Sequence, residues 1–199
     1  MYKFIDEKFY KGSGKLKRSR KIIMVSHCIL NSNSKVEGLS QYQGIFKELI
    51  DMIDEKEIGI IQLPCPEMII YGIKRWGHVK EQFDTLFYRN NCRKMLEFII
   101  GQVKSYIDTG YKIVGVIGID GSPSCGVNLT CSGDWEGDSS SKDSIDHKIK
   151  NLKEIKALGI FMEELKRYLE EYNIEVPFVA INENDVYSSL NDISEFLNK

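Results

Sequence analysis

Short apolar runs and helix-period stripes alternate along most of this chain. Ile22-Ile23-Met24-Val25, within Lys21–Ser26, is a run of strand length that stops at His27-Cys28. Polar residues follow, and then Ile45, Leu49 and Ile53 recur at helical spacing, with Ser40 upstream as a cap. Ile58–Leu63 reads as a second buried strand, ended by Pro64-Cys65-Pro66 because proline cannot continue a central ladder. A longer helix is expected over Asn91–Asp108, with Met95, Ile99, Val103 and Tyr106 on its apolar face and Gly110 closing it. Tyr111–Ile119 is the third strand, stopped by Asp120-Gly121-Ser122-Pro123. Ser132–Lys150 shows no periodicity and reads as a loop or lid. A helix over Leu158–Tyr172, a strand over Val176–Ile181 and a closing helix over Ser188–Leu197 complete the order.

Strands that are continuous apolar runs belong to parallel sheets buried on both faces, and their alternation with helices marks the α/β class. The expectation is a single-domain, Rossmann-like, three-layer fold with a mostly parallel sheet over 21–199. A basic leader, 1–20, precedes it. Lys11, Lys15, Lys17, Arg18 and Arg20 crowd its end with Gly12 and Gly14 between them. No aromatic stacking pattern accompanies these charges, so a solvated lead-in to the first strand is expected.

Composition narrows the function classes. Asp and Glu number 29 against 27 Lys and Arg in 199 residues, a formal charge of −2. That balance argues against a general nucleic-acid binder, so no nucleic acid is expected as a partner. Hydrophobic residues at 42% and charged residues at 28% are those of an ordinary folded domain. No apolar run approaches the roughly 20 residues of a membrane span. Met1–Lys8 lacks a signal-peptide core, and a soluble, cytoplasmic protein is expected.

Five cysteines then change the picture. Their odd number in a reducing compartment does not suit a disulfide framework. Cys28 follows the first strand, Cys65 the second and Cys125 the third, whereas Cys92 lies inside a helical pattern as a buried structural cysteine would. In an open α/β sheet, ligands bind outside the carboxyl ends of the strands, where three thiols from three loops could meet. Soft thiolates select zinc, copper(I) or iron–sulfur clusters, and ligand type alone leaves all three open. No C-x-x-C pair is present. Three protein ligands leave one coordination position open, which points to catalysis. Cys131 as a fourth ligand would close the site and make it structural or electron-transferring.

Three segments also carry a resemblance. Val25-Ser26-His27-Cys28-Ile29-Leu30, Leu63-Pro64-Cys65-Pro66-Glu67 and Gly121-Ser122-Pro123-Ser124-Cys125-Gly126 resemble the three cysteine motifs of the TudS (2-thiouracil desulfidase) family. Gly159–Leu165 and Val176-Pro177-Phe178 are similar to that family's C-terminal helix and strand. The resemblance spans most of residues 21–181 and is most specific at Cys-Pro-Glu and Ser-Pro-Ser-Cys-Gly. It implies an oxygen-sensitive 4Fe–4S cluster held by Cys28, Cys65 and Cys125. It further implies that the fourth iron takes the sulfur of a small thiocarbonyl substrate, which is hydrolysed from C=S to C=O with release of sulfide. The chain departs from the family at 31–38, where Asn31-Ser32-Asn33-Ser34-Lys35-Val36-Glu37-Gly38 replaces Gly-x-x-x-Arg-Tyr-Asp-Gly and Glu37 stands at the Asp position.

Desulfuration needs a base for the attacking water, and Glu67, two residues from a candidate ligand, is the first choice. Its structural alternative is a carboxylate bonded to loop backbone or to Arg75. Ser122 is assigned to substrate contact and Ser124 stands beside it; the alternative is that both bond their own backbone, as serines in Ser-Pro turns do. Asp120 either caps the following segment or orients water. His27 beside Cys28 suggests a nucleophilic dyad, but neighbours on an extended chain point to opposite faces, which favours a satisfied loop histidine. His78 and His147 read as surface residues, and Tyr71, Arg75 and Trp76 as entrance residues. G-x-G-x-x-G and G-x-x-x-x-G-K-[ST] are both absent, which argues against a nucleoside triphosphate site. Two other functions remain beside the desulfidase: a metal-free cysteine-nucleophile hydrolase that depends on His27, and a non-catalytic cluster-binding sulfur carrier or sensor closed by Cys131.

Overall fold

Strand β1 (Lys21–Val25) sends alternate side chains to opposite faces, as the two-residue period of a strand requires. Ile22 and Met24 pack into one hydrophobic core, and Ile23 and Val25 into a second on the other side. The computed structural model describes residues 18–198, so of the basic leader only residues 18–20 are described, and Lys11, Lys15 and Lys17 lie outside. Strands β2 (Gly59–Gln62), β3 (Lys112–Ile119) and β6 (Phe178–Ile181) join β1 in a sheet of order β2-β1-β3-β6. Every pairing in it is parallel.

Helices cover both faces, as a parallel sheet demands. Helices α5 (Leu86–Asp108) and α7 (Ile160–Glu171) close the first core, while α2 (Lys47–Glu55) and α8 (Val186–Leu197) close the second. The fold is therefore the expected three-layer α/β architecture. Chain order reverses between β1 and β3, which makes the crevice at their carboxyl ends the natural ligand position. Short helices α1 (His27–Leu30), α3 (Pro66–Tyr71) and α4 (Lys80–Phe83) sit near that edge.

Three sequence expectations are corrected. The stripe at Ile45, Leu49 and Ile53 begins too early, because the chain becomes helical only at Lys47; Ile45 is 48% exposed and Phe46 takes the core position. Helix α5 starts at Leu86, capped by Thr85 Oγ1, and its buried seam runs through Tyr88, Cys92, Leu96, Ile100 and Val103. Met95, Ile99 and Tyr106 flank that seam half-buried. The polar stretch after Ser132 is a loop only over residues 133–141, and its second half is helical. An antiparallel pair, β4 (Thr130–Ser132) with β5 (Lys153–Ile155), brackets helix α6 (Lys142–Asn151). The one buried residue of α6 is Lys148, whose Nζ donates to the carbonyls of Gly137 and Asp138 and to Ser139 Oγ, so hydrogen bonds anchor this helix where an apolar stripe is missing.

Candidate functional site

Each of the three strand-end cysteines is held by a different local device. Cys28 lies in α1, immediately after β1. Cys65 caps α3, its Sγ accepting the Met68 N–H at 3.5 Å, and Pro66 occupies the first helical position, where a missing N–H costs nothing. Cys125 sits in the loop after β3, which folds around the Asp120 carboxylate. Asp120 Oδ1 accepts the N–H groups of Val127, Asn128 and Leu129 at 3.1, 2.8 and 3.2 Å. Ser122 Oγ accepts those of Cys125 at 3.0 Å and Ser124 at 3.3 Å.

The first turn of α7 then fastens this loop from below. Ile160 N–H donates to the Pro123 carbonyl, and Phe161 and Met162 donate to that of Ser124, at 3.0, 3.0 and 3.2 Å. These are donors that a helix start would otherwise leave unpaired. The approach is close enough to need glycine: a Cβ on Gly159 would lie 2.4 Å from the Ser124 carbonyl carbon, and one on Gly118 2.5 Å from the Cys125 oxygen.

Cys28, Cys65 and Cys125 all line one cavity of about 480 Å³, together with Glu67, Ser122 and Ser124. Glu67 is buried, and both its oxygens are engaged. Ser124 Oγ donates to Oε1 at 2.6 Å and stands 3.6 Å from Cys125 Sγ, while Arg75 Nε donates to Oε2 at 3.2 Å. Arg75, its side chain buried, also donates to the carbonyls of Ser34 and Gly72 at 2.7 and 3.4 Å. The backbone-bonding role weighed for Ser122 is therefore present, and its residue still lines the cavity.

Burial pushes the Cys28 thiol up to about 12, and the charge of Cys65 adds to the effect while Lys35 opposes it. Cys125 is raised well above the ordinary thiol range by burial first and then by the charges of Cys28 and Cys65. Burial also raises Cys65, against the Met68 N–H that lowers it. Three thiolates here repel one another unless something positive lies among them. Cys131 lines the same cavity from β4, opposite Glu154, but beyond burial its thiol is raised by Glu81 and Glu154. Cys92 is fully buried in the core. Among the described residues, no group of three or more His, Cys, Asp or Glu side chains is arranged to hold a metal ion.

Several residues of the site were not legible as such in the sequence. His78 lines the cavity, stacked at 4.9 Å on both Tyr71 and Phe83. Lys35 pairs with Glu183 and lies 4.6 Å from the Tyr42 ring, whose hydroxyl donates to the Cys28 carbonyl at 3.0 Å. His27 faces Gln62, with Nδ1 2.8 Å from Nε2, and burial lowers its pKa. His147 lies exposed on α6, and Trp76 is 72% exposed.

Comparison with known proteins returns a family model described as "Putative 2-thiouracil desulfurase", matched over residues 20–198. An uncharacterised protein of Methanocaldococcus jannaschii is 35% identical over 168 residues, 84% of this chain and 90% of that protein. A solved structure, the [4Fe-4S]-dependent thiouracil desulfidase TudS, is 17% identical, with 88% of this chain and 99% of that one covered at a TM-score of 0.46. No helix among the described residues is long and apolar enough to cross a membrane.

Proposed function

Because the chain belongs to the 2-thiouracil desulfurase family, we propose that it hydrolyses the C=S group of a small, thiouracil-like compound to C=O with release of sulfide, using a 4Fe–4S cluster held by Cys28, Cys65 and Cys125. The observation that carries this reading is the presence of those three thiols, from three separate strand ends, on the wall of one cavity.

The donor set fits such a cluster. Thiolates are the soft ligands iron–sulfur sites use, and a positive group among them would offset the mutual repulsion that raises Cys28 and Cys125. In the two residues before Cys28, Ser26 Oγ and His27 Nε2 are buried without hydrogen-bond partners. Two thiolates on one tetrahedral zinc, each at about 2.3 Å, stand only ~3.8 Å apart. Cluster ligands bind different irons and are spaced more widely, which is compatible with thiols that share a cavity without forming a single-ion group.

When bound, the cluster would supply a soft Lewis-acidic iron on which thione sulfur is a better donor than carbonyl oxygen. The chain's own residues handle the water. Glu67 keeps lone pairs beyond those used by Ser124 and Arg75, and takes a proton from the water that attacks the thiocarbonyl carbon. Ser122 Oγ accepts two backbone N–H groups, and its hydroxyl proton, held only by a long 3.5 Å contact to Ser124 Oγ, turns to the substrate. Water supplies the oxygen and the displaced sulfur leaves as sulfide, so no electrons are exchanged.

Iron, acid-labile sulfide and zinc analysis of anaerobically purified protein tests the reading, alongside alanine variants of all five cysteines. Iron and sulfide in equal amounts, lost in Cys28→Ala, Cys65→Ala and Cys125→Ala and kept in Cys92→Ala, is the expected pattern, with conversion of 2-thiouracil to uracil. Zinc, or no metal after anaerobic reconstitution, overturns it. Cys131 on the same cavity wall favours one other reading, a closed sulfur carrier. That reading requires Cys131→Ala to lose the cluster and the wild type to show no turnover.

A further inference from the structure

Two ion pairs stand on the wall of the cavity that holds the cysteines, Glu67 with Arg75 and Lys35 with Glu183. The first is spent on the chain itself, through Ser124 and the carbonyls of Ser34 and Gly72. The second has a different setting. Lys35 Nζ bonds Glu183 Oε1 and lies 4.6 Å from the centroid of the Tyr42 ring. The two side chains are only 8% and 17% exposed, yet among the described residues no backbone group bonds either charged end. Burying an ion pair costs desolvation that further hydrogen bonds must repay, so a pair short of chain partners is poorly explained as a structural strut.

Both partners are presented to the cavity by fixed backbone. Lys35 follows a single 3-10 turn, Ser32–Ser34. Its N–H donates to the Ser32 carbonyl at 3.0 Å, and the preceding carbonyl, that of Ser34, takes the Arg75 guanidinium at 2.7 Å. Glu183 lies in the turn after β6, where Asn182 Oδ1 accepts the Asn184 N–H and the Asn182 carbonyl that of Asp185, each at 3.0 Å. Tyr42 links the pair to the first cysteine, since its hydroxyl donates to the Cys28 carbonyl at 3.0 Å. An ammonium has three donors and a carboxylate about four acceptor sites. The bond between them uses one of each, and even a second bond from Tyr42 to Glu183 would leave both with capacity to spare.

What remains is a donor beside an acceptor on one wall. That pattern complements a planar ring with adjacent C=O and N–H groups, and a site built to bond such an edge rejects rings that lack it, because its own groups are then left unpaired. We propose that Lys35 and Glu183 select the substrate, Lys35 donating to a ring carbonyl and Glu183 accepting from the neighbouring ring N–H, so that the cavity takes cyclic thioureides with a free N–H–C=O edge. The inference rests on the desulfidase reading above and narrows its substrate class. In 2-thiouracil that edge is N3–H with C4=O.

1-Methyl-2-thiouracil keeps the edge, whereas 3-methyl-2-thiouracil carries a methyl group in place of its N–H, and the two isomers have the same bulk. In equilibrium dialysis against the full-length apoprotein, the 1-methyl isomer should bind at least about tenfold more tightly, as expected for one hydrogen bond to a charged group. The double variant Lys35→Met, Glu183→Met removes donor and acceptor together, leaves no unpaired charge in the wall and should bring the ratio close to one. A uniform loss of folded protein weakens both isomers alike, so the ratio reports recognition and not stability. Wild-type protein that binds the isomers equally, or binds neither, overturns the proposal, as does a ratio that survives in the double variant. Cluster-loaded protein that desulfurates both isomers equally overturns this inference and leaves the functional reading standing. Protein that takes up no cluster but keeps the isomer preference supports the selection by Lys35 and Glu183 and overturns the cluster.

Discussion

Replacing Arg75 with methionine should be the most damaging conservative change at the site. The Arg75 side chain is 3% exposed and that of Glu67 11%, so the pair sits where solvent screens it little. Methionine fills much of the arginine volume but leaves the Glu67 carboxylate with the Ser124 hydroxyl as its remaining partner, and leaves the Ser34 and Gly72 carbonyls without their donor. Breaking a buried pair from one side costs about 3–5 kcal/mol. With a urea m-value of about 2 kcal/mol/M, that moves the unfolding midpoint of the apoprotein down by ~2 M. Glu67→Gln should cost less, about 1–2 kcal/mol, because Arg75 keeps two carbonyl acceptors. Combined, the two changes should cost less than their sum, since the double variant buries no unpaired charge. The assay is a double-mutant cycle by urea unfolding, with desulfuration measured in parallel: Glu67→Gln loses turnover while retaining iron. Strict additivity, or a loss below about 1 kcal/mol for Arg75→Met, would refute the claim that burial makes this ion pair interdependent.

Asp120→Asn keeps an oxygen for the three loop N–H groups and should cost little, whereas Asp120→Ala should lower stability by about 2–3 kcal/mol and bring proteolytic cleavage into the loop after β3. Equal stability of the two variants in urea would rule out the carboxylate as the loop's organiser. Gly159→Ala puts a methyl group against the Ser124–Cys125 backbone, and overpacking of about 1–3 kcal/mol with loss of bound iron is expected; a wild-type melting curve would count against the tight approach. Acid should weaken the α5–α7 contact. Burial pushes Glu163 up, but the hydrogen bonds from Lys80 and Arg89 outweigh it and hold its carboxyl below the usual range; the Arg89 bond does the same for Asp84. A lowered folded pKa contributes stability above the unfolded value near pH 4–4.5, lost as pH falls through the folded one. Arg89→Met should therefore flatten the decline in urea midpoint between pH 5 and pH 3, and an unchanged slope would assign that decline to other carboxylates.

What the sequence made legible follows from which interactions leave a periodic trace. The continuous runs at Ile22–Val25 and Ile113–Ile119 marked the parallel strands because both faces of those strands are buried. The strand-end positions of Cys28, Cys65 and Cys125 then placed them at one edge by topology alone. Helix α6 left no such trace, since its one buried residue is a lysine bonded to carbonyls. The seam of α5 was misjudged for a related reason. Its first turn, from Leu86, begins five residues before the expected start, and Tyr88 sets the phase of the stripe that continues through Cys92. Glu183, just after β6, reaches Lys35 in the segment that follows β1, and His78 joins the cavity through a stack with Tyr71 and Phe83. Contacts of that kind are decided by packing and have no local signature.

The way the Cys125 loop is tied bears on what a bound group would have to do. In small metal domains the binding free energy is also folding free energy, because no site exists until the metal organises it. Here the loop is closed by the Asp120 carboxylate, by Ser122 Oγ and by the first N–H groups of α7, all bonds made within the chain. Cys65 is likewise fixed by its place at the start of α3, and Cys28 by α1 between β1 and the following turn. The two cores on either side of the sheet supply the burial that holds these elements, Cys125 within one and Cys28 against the other. On the proposed reading, ligation would have little ordering to do. Its free energy would go against the mutual repulsion of three buried thiolates, which is a matter of charge rather than of chain entropy.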